Sequence, residues 1–205
     1  MINTVELIGT YGDDFTIAQS AWTSTSRDLS EERKNRVGGL LSMLAREGHH
    51  TPFEKSMLHF YVVCDTASHI HFLKHRVGVS INAESARYKE LNDDKFYVPE
   101  DWPDHLKAFI KRKANYMYDD YHYIINELEE LGYDRKRAKE SARFILPYAN
   151  QLGLDVSFNM RSFMHFQGLR NKPDAQVEIR EIADQMLQLV KDTGKFDLTL
   201  KAFDY

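Results

Sequence analysis

The 205-residue sequence contains a single cysteine, Cys64, and carries a formal net charge of -4 at pH 7. One cysteine cannot form an intrachain disulfide, so we expect a reducing, cytoplasmic compartment. The acidic balance provides no global basic field that would recruit a nucleic-acid polymer. Cationic clusters in this chain are therefore local, which suits a small anionic ligand.

Long apolar runs are also missing, because no stretch approaches the roughly 20 apolar residues that a membrane-spanning helix requires. The N-terminal residues show no basic start followed by an apolar segment, so no signal peptide is predicted. Linkers rich in proline, serine or glycine and internal repeats are absent as well. The sequence therefore predicts one soluble domain over residues 1–205, without membrane contact.

Several signatures of common enzyme chemistry do not occur. The sequence has no P-loop, Gly-x-Gly-x-x-Gly or Gly-x-Ser-x-Gly motif, which disfavours the usual nucleotide and hydrolase sites. It has nine histidines but neither His-Glu-x-x-His nor paired Cys-x-x-Cys spacing, so we predict no metal site. Cys64 ends an apolar run and is interpreted as a buried inert thiol. The alternative, a reactive thiolate, would need partial exposure and a cationic neighbour.

Hydrophobic periodicity predicts mainly helices with a few strands. The strands are expected in "VELIGTY", "MLHFYVVCD", "KFYVP" and "GLDVSFNM", and the helices in residues 30–50, 66–76, 104–131, 134–147, 161–170 and 174–192. A short turn capped by Thr51 is expected in "TPFE". The tyrosines of the longest helix are interpreted as a half-buried stripe: Tyr116, Tyr118, Tyr121 and Tyr123. Without regular βαβ repetition, the expected class is α+β, with a central twisted antiparallel or mixed sheet flanked by helices.

The segment "KHRVGVSINAESARY", residues 74–88, gathers cations, hydroxyls and an amide with little apolar content. We predict that it is a loop, and loops on a rigid scaffold are where ligand-binding groups collect. Arginine forks, a lysine and serine hydroxyls together make a cradle for an anion. The alternative interpretation is a solvated charged loop.

A second cationic set lies in "NMRSFMHFQGLR", where Arg161 and Arg170 stand among phenylalanines. Arg143 precedes another apolar run, "FILP". Arginines in apolar segments are costly unless they are paired or bind an anion. Each could belong to a structural ion pair, but three such positions favour a binding site.

Taken together, these segments resemble the signature of flavin-dependent thymidylate synthases. That signature runs Arg-His-Arg, a spacer, and Ser-x-Asn-x-x-Ser-x-Arg-Tyr, which residues 74–88 resemble. The upstream "HHTPFE" is similar to the family's flavin-contacting turn, and the downstream "NMRSFMHFQGLRNKPDAQVEI" to its Asn-x-Arg-Ser segment. The three motifs occur in the family's order and cover most of residues 20–180.

The resemblance implies an enzyme that converts deoxyuridylate (dUMP) into thymidylate (dTMP). Its carbon donor would be methylenetetrahydrofolate, and NADPH would supply reducing equivalents through bound FAD. A homotetramer with shared active sites is implied as well. Two alternatives stay open: a flavin and folate enzyme that acts on another pyrimidine deoxynucleotide or leaves a hydroxymethyl group, and a non-catalytic flavin- or nucleotide-binding relative.

The resemblance also implies roles for individual residues. The catalytic residue is Arg170, which would stabilise the anion that develops on the uracil ring. The cofactor-binding residues are Thr51, Lys74, His75, Arg76, Glu84, Asn159, Met160, Arg161 and His165. The substrate-binding residues are His71, Lys74, Glu84, Ser85, Ala86, Arg87, Arg143 and Arg170.

Four departures from the family pattern lie in or beside the signature. Lys74 replaces the first arginine, His71 replaces a glutamine, and one extra residue lies between Arg76 and Ser85. Ala83 stands where the family has a glutamate, and we expect Glu84 to supply that carboxylate instead. Ser85 is interpreted as a binding hydroxyl and not as a nucleophile.

Overall fold

The computed structural model describes residues 2–25, 30–85, 87–91 and 95–205. Four strands form an antiparallel sheet in the order β1-β2-β4-β3, and they are β1 (Thr4–Tyr11), β2 (Met57–Asp65), β3 (Val79–Ala83) and β4 (Gln151–Asn159). In β2 every second side chain from Leu58 to Cys64 is fully buried, because successive side chains of a strand point to opposite faces.

Helices surround these strands in the chain order. They are α1 (Asp14–Trp22), α2 (Glu31–Lys34), α3 (Val37–Arg46), α4 (Thr66–Phe72), α5 (Asp104–Glu130), α6 (Arg135–Ala142), α7 (Met160–Arg170), α8 (Val177–Asp192) and α9 (Asp197–Ala202), with 3₁₀ turns at Thr51–Lys55 and Arg143–Ile145. The predicted α+β class with helices flanking a central sheet is confirmed. The sequence analysis missed α1 and α9, and it merged α2 with α3.

The described chain divides into two compact units. Unit 1 comprises residues 1–4, 62–73 and 82–154, and unit 2 comprises residues 5–61, 74–81 and 155–205. Strands β2, β3 and β4 contribute residues to both units. The single domain expected over residues 1–205 stays a prediction.

The core of unit 1 lies between α5 and α6. Tyr118, Tyr121 and Ile125 of α5 pack with Ala138 and Ala142 of α6, and each is at most 1% exposed. The predicted half-buried tyrosine stripe is therefore wrong, because α5 turns two tyrosines fully inward. Two further tyrosines, Tyr116 and Tyr123, are 56% and 61% exposed on its outer face.

The core of unit 2 is built on phenylalanines. Phe60 of β2 stacks on Phe163 of α7 with ring centroids 5.8 Å apart, and Phe158 of β4 contacts both Phe163 and Phe166. The apolar face of α8 packs on α7. The result is a rigid α7, which carries several of the predicted site residues.

Two local expectations about residues 66–88 are wrong. Residues Val79–Ala83 form strand β3 and not part of a loop, because their apolar residues alternate with polar ones and suit a sheet. Helix α4 ends at Phe72, so Lys74 and His75 follow the helix instead of lying on it. The loop expectation still holds for residues 74–76, which lie between α4 and β3.

Candidate active site

A cavity of about 220 Å³ in unit 2, which we call the cation cavity, lies beside α7 and the turn that follows α4. Its lining consists of Lys74, His75, Arg76, Val77, Val79, Ser162, His165, Leu169 and Arg170. Three of these side chains are cations. Among the residues that the structure describes, no carboxylate forms an ion pair with Lys74, Arg76 or Arg170. The cavity therefore presents net positive charge to a ligand.

The N-terminus of α7 fixes one wall of the cation cavity. Asn159 caps the helix, since its side-chain oxygen accepts a hydrogen bond from the Ser162 N–H at 2.9 Å. Ser162 Oγ donates to the Val77 carbonyl at 2.6 Å, and the Asn159 N–H donates to the Gly78 carbonyl at 2.9 Å. Gly78 has φ = +65°. These bonds hold residues 77 and 78 against the start of α7.

Arg170 and His75 form a direct hydrogen bond in the cation cavity. The Arg170 Nε–H donates to His75 Nε2 at 3.1 Å, and His75 is 7% exposed. Burial lowers the pKa of the Arg170 guanidinium from its usual value. Arginine stays charged in proteins even so. The cavity thus contains a partly buried cation that is held by a histidine.

A larger cavity of about 570 Å³ in unit 2, the Arg161 cavity, is lined by His50, Val77, Arg161, Ser162, Met164, His165, Gly168, Leu169 and Phe203. Arg161 Nη1 donates to Glu54 Oε1 at 2.5 Å. His165 lines both this cavity and the cation cavity. The structure therefore brings together Lys74, His75, Arg76, Arg161, His165 and Arg170.

Three other predicted cofactor contacts in unit 2 have different surroundings. Thr51 is exposed at the start of its 3₁₀ turn, and its predicted capping role is wrong, because His50 is the N-cap residue and no side chain caps the turn. Asn159 is half-buried with its amide oxygen engaged by α7. Met160 is fully buried, so only its backbone is left to meet a ligand.

A pocket of about 520 Å³ in unit 1, the Arg143 pocket, contains three of the predicted substrate residues, Glu84, Ser85 and Arg143. Glu84 accepts a hydrogen bond from Lys89 Nζ at 2.7 Å and one from the Gly153 N–H at 3.2 Å. Burial acts to raise the pKa of Glu84. The two hydrogen bonds and the charges of Lys89 and Lys95 outweigh it and hold that pKa below its usual range.

The remaining predicted substrate residues lie elsewhere in unit 1 or outside the described residues. Arg87 pairs with Glu140, which raises the pKa of Arg87. His71 is half-buried in the last turn of α4. Ala86 lies outside the described residues.

Sequence reasoning missed His69, which lines the Arg143 pocket. Its Nε2 atom is buried without a hydrogen-bond partner among the described residues, and burial lowers the pKa of the imidazole from 6.5. A buried polar atom without a partner is destabilising and calls for a functional explanation. The alternation of His69 and His71 was the available signal, but it was weighed only as a metal motif.

Replacing His69 by leucine is expected to raise the free energy of unfolding by about 1–2 kcal/mol, because an unpartnered buried group is removed. Urea unfolding at pH 7.5 measures this. The exposed His105 on α5 offers a matched control, and His105→Leu should change stability by less than about 0.5 kcal/mol. A His69→Leu protein less stable than the parent would contradict the expectation.

Cys64 is fully buried, and burial, reinforced by the neighbouring Asp65, raises the pKa of its thiol far above the usual range. We expect Cys64→Ser to lose about 1–3 kcal/mol of stability, because a hydroxyl is costly to bury, and to keep full turnover per bound flavin. Thermal unfolding and a turnover assay measure the two effects, with Cys64→Ala as the control. Loss of turnover in folded, flavin-loaded Cys64→Ser would show that the thiol takes part in the chemistry.

Two searches of the described residues bear on other site classes. No group of three or more histidine, cysteine, aspartate or glutamate side chains in this part of the chain is arranged to hold a metal ion. Within the same residues, no helix combines the length and apolar character needed to cross a membrane.

Comparison with known proteins identifies the family. The family model described as "Thymidylate synthase complementing protein" matches residues 6–193. The flavin-dependent thymidylate synthase of Pseudothermotoga lettingae is 32% identical over 190 residues, which cover 91% of this chain and 84% of that protein. The enzyme of the same name from Thermosipho africanus is 29% identical over 218 residues, covering 97% and 90%.

A solved structure shares the fold as well. It is the UMP/dUMP methylase PolB from Streptomyces cacaoi bound with 5-Br dUMP, which is 28% identical with a TM-score of 0.81. The match covers 98% of this chain and 94% of that one. The family model and the relatives span nearly the whole chain and include all three motifs found in the sequence. The chain belongs to the family of flavin-dependent thymidylate synthases.

Proposed function

We propose that the protein catalyses the reductive methylation of dUMP to dTMP, with methylenetetrahydrofolate as carbon donor, NADPH as reductant and FAD as bound cofactor. The observation that carries this proposal is the cation cavity, where Lys74, Arg76 and Arg170 have no carboxylate partner among the described residues. A phosphate-bearing ligand would compensate that charge. Family membership and the relatives' names support the flavin and the thymidylate product.

The residues of unit 2 fit FAD. Its pyrophosphate carries negative charge, which Arg76 and Lys74 would neutralise, and the Arg161 cavity beside them has a volume of about 570 Å³, ample for an extended aromatic ring. His165 and Arg161 would line the flavin. Bound FAD would carry reducing equivalents from NADPH to the pyrimidine.

The chain's own residues bind and polarise the nucleotide. Arg143 and Ser85 would hold phosphate oxygens through charge-assisted and hydroxyl hydrogen bonds. Arg170 would lie at the uracil N3–H, where a fixed guanidinium stabilises negative charge as it develops on the ring. Ser85 takes no covalent part in this scheme.

The proposal also includes a cytoplasmic homotetramer with shared active sites. Among the exposed apolar side chains, Phe144 is 83% exposed and Val77 is 79% exposed. Both follow a predicted site residue directly in the sequence, so a neighbouring subunit that covered them would also approach a site.

A second candidate is methylation of a different pyrimidine nucleotide. The neighbour PolB is named for action on both UMP and dUMP. This chain departs from the family pattern at Lys74, His71 and Ala83, all predicted to lie near the pyrimidine or the flavin. Uridylate is therefore the substrate to compare with dUMP.

Purified protein tests the proposal. It should be yellow with flavin absorbance, and NADPH oxidation in the presence of methylenetetrahydrofolate should depend on added dUMP. A mock reaction without nucleotide is the control. A colourless protein that does not take up FAD, or NADPH oxidation indifferent to dUMP, would count against the proposal.

Replacing Glu84 by alanine is expected to weaken dUMP or FAD binding by about 1.5–3 kcal/mol, the range of a hydrogen bond to a charged group. The carboxylate is positioned by Lys89 and Gly153 in the wall of the Arg143 pocket. Isothermal titration with each ligand measures the change. The exposed Glu130 at the end of α5 is the matched control, and Glu130→Ala should bind both ligands like the parent. Normal binding by Glu84→Ala would shift the carboxylate role away from this residue.

A further inference from the structure

Arginines of the candidate site differ in what holds them. Arg161 is paired with Glu54, and Arg87 is paired with Glu140. Arg170 has no carboxylate partner among the described residues, and its Nε–H donates to His75 Nε2 at 3.1 Å. The guanidinium with the most demanding predicted role is thus held by an imidazole.

The direction of this hydrogen bond fixes the state of the imidazole. A guanidinium has only donors, so His75 Nε2 must be the acceptor and carries no proton. Neutral His75 therefore keeps its proton on Nδ1. A neutral partner orients Arg170 without cancelling its positive charge, whereas a carboxylate would do both.

The surroundings of His75 keep its ring in place. The side chain is 7% exposed, and its ring meets the Phe166 ring edge-on with centroids 5.0 Å apart. The His165 ring contacts it at 5.9 Å, also in an edge geometry. Phe166 is itself fully buried in the core of unit 2. The orientation of His75 is thereby tied to the core through α7.

We propose that His75 is a positioning residue for Arg170, and that its neutral imidazole aims the guanidinium while leaving the full positive charge for the uracil anion. The inference rests on the proposed function and adds to it. The FAD contact that the family resemblance implies for His75 concerns the cofactor, whereas the role proposed here acts through Arg170. The distinguishing property is dependence on an acceptor atom at the position of Nε2.

The test compares His75→Leu with His75→Gln in the holoenzyme, alone and combined with Arg170→Ala. Leucine fills similar space but offers no acceptor, whereas the glutamine side-chain oxygen can still accept the Nε–H bond. Turnover of dUMP is expressed per bound flavin, and kcat and KM are determined separately. The matched control is His59→Gln on β2, a histidine that pairs with Asp155 and has no predicted role.

His75→Leu is expected to lower kcat about 10-fold to 100-fold, since misplacement of a catalytic group by about 1 Å has effects of this order. KM for dUMP should change by less than about threefold. His75→Gln should recover most of kcat. The double variant with Arg170→Ala should be no slower than Arg170→Ala alone, because residues that act through one another are not additive.

Independent, multiplicative losses in the double variant would overturn the inference while leaving the proposed function intact. Equal defects in His75→Leu and His75→Gln would overturn it too, as would loss of FAD from His75→Leu with normal turnover per bound flavin. A parent enzyme without dUMP-dependent turnover would overturn the proposed function and this inference with it.

Discussion

Replacing Arg170 by alanine is expected to slow dUMP turnover by about a hundredfold to a thousandfold, the cost of one electrostatic donor at a developing anion. Arg170 lies in the cation cavity at the end of α7, where burial lowers the pKa of its guanidinium without a carboxylate to share its charge. The donor is therefore oriented and little screened by protein groups. Turnover per bound flavin under saturating dUMP measures the effect.

The matched comparison for Arg170→Ala is Arg161→Ala. Arg161 lines the larger cavity and is paired with Glu54, so its loss should release FAD before it affects chemistry on retained flavin. Flavin absorbance after gel filtration separates the two variants. Equal loss of flavin in both would contradict the roles assigned to the two arginines.

Replacing Gly78 by alanine is expected to destabilise the protein by about 3 kcal/mol or more, the upper range for single substitutions. Gly78 has φ = +65°, and an added Cβ would lie 2.2 Å from Asn159 Nδ2 and 2.4 Å from Ser162 Oγ. Both atoms belong to side chains that hold the start of α7 against residues 77 and 78. The methyl group therefore displaces the wall of the cation cavity, and flavin content should fall as well.

Gly39 in the interior of α3 provides the control for Gly78→Ala. An added Cβ there meets no atom within 4 Å, and alanine favours a helix over glycine by about 1 kcal/mol. Gly39→Ala should therefore be neutral or stabilising in thermal unfolding. A Gly78→Ala protein with the parent's melting temperature and flavin content would show that the turn adapts without cost.

The sequence predicted the elements whose patterns are local. Strand β2 alternates strictly between buried and less buried residues, and α8 repeats its apolar residues at helical spacing, so each could be read from neighbours along the chain. The cations of the cation cavity were found for the same reason, since Lys74, Arg76 and Arg170 lie in short recognisable motifs.

The partners of those cations could not be read from the sequence. Arg161 pairs with Glu54 across 107 positions, and Arg170 bonds His75 across 95, so the packing of distant segments decides which arginine keeps an uncompensated charge. Strand β3 was missed because its short apolar alternation is embedded in charged residues, and its place in the sheet is given by β4. His69 was passed over because burial of its Nε2 depends on the pocket around it.

The most direct test of the central claim is mass analysis of the nucleotide formed when dUMP, dCMP and UMP are offered in parallel with methylenetetrahydrofolate and NADPH. The account predicts that dUMP gains one methyl group and becomes dTMP, and that this is the fastest of the three reactions. Unchanged dUMP, a hydroxymethyl product, or faster methylation of UMP or dCMP would contradict it.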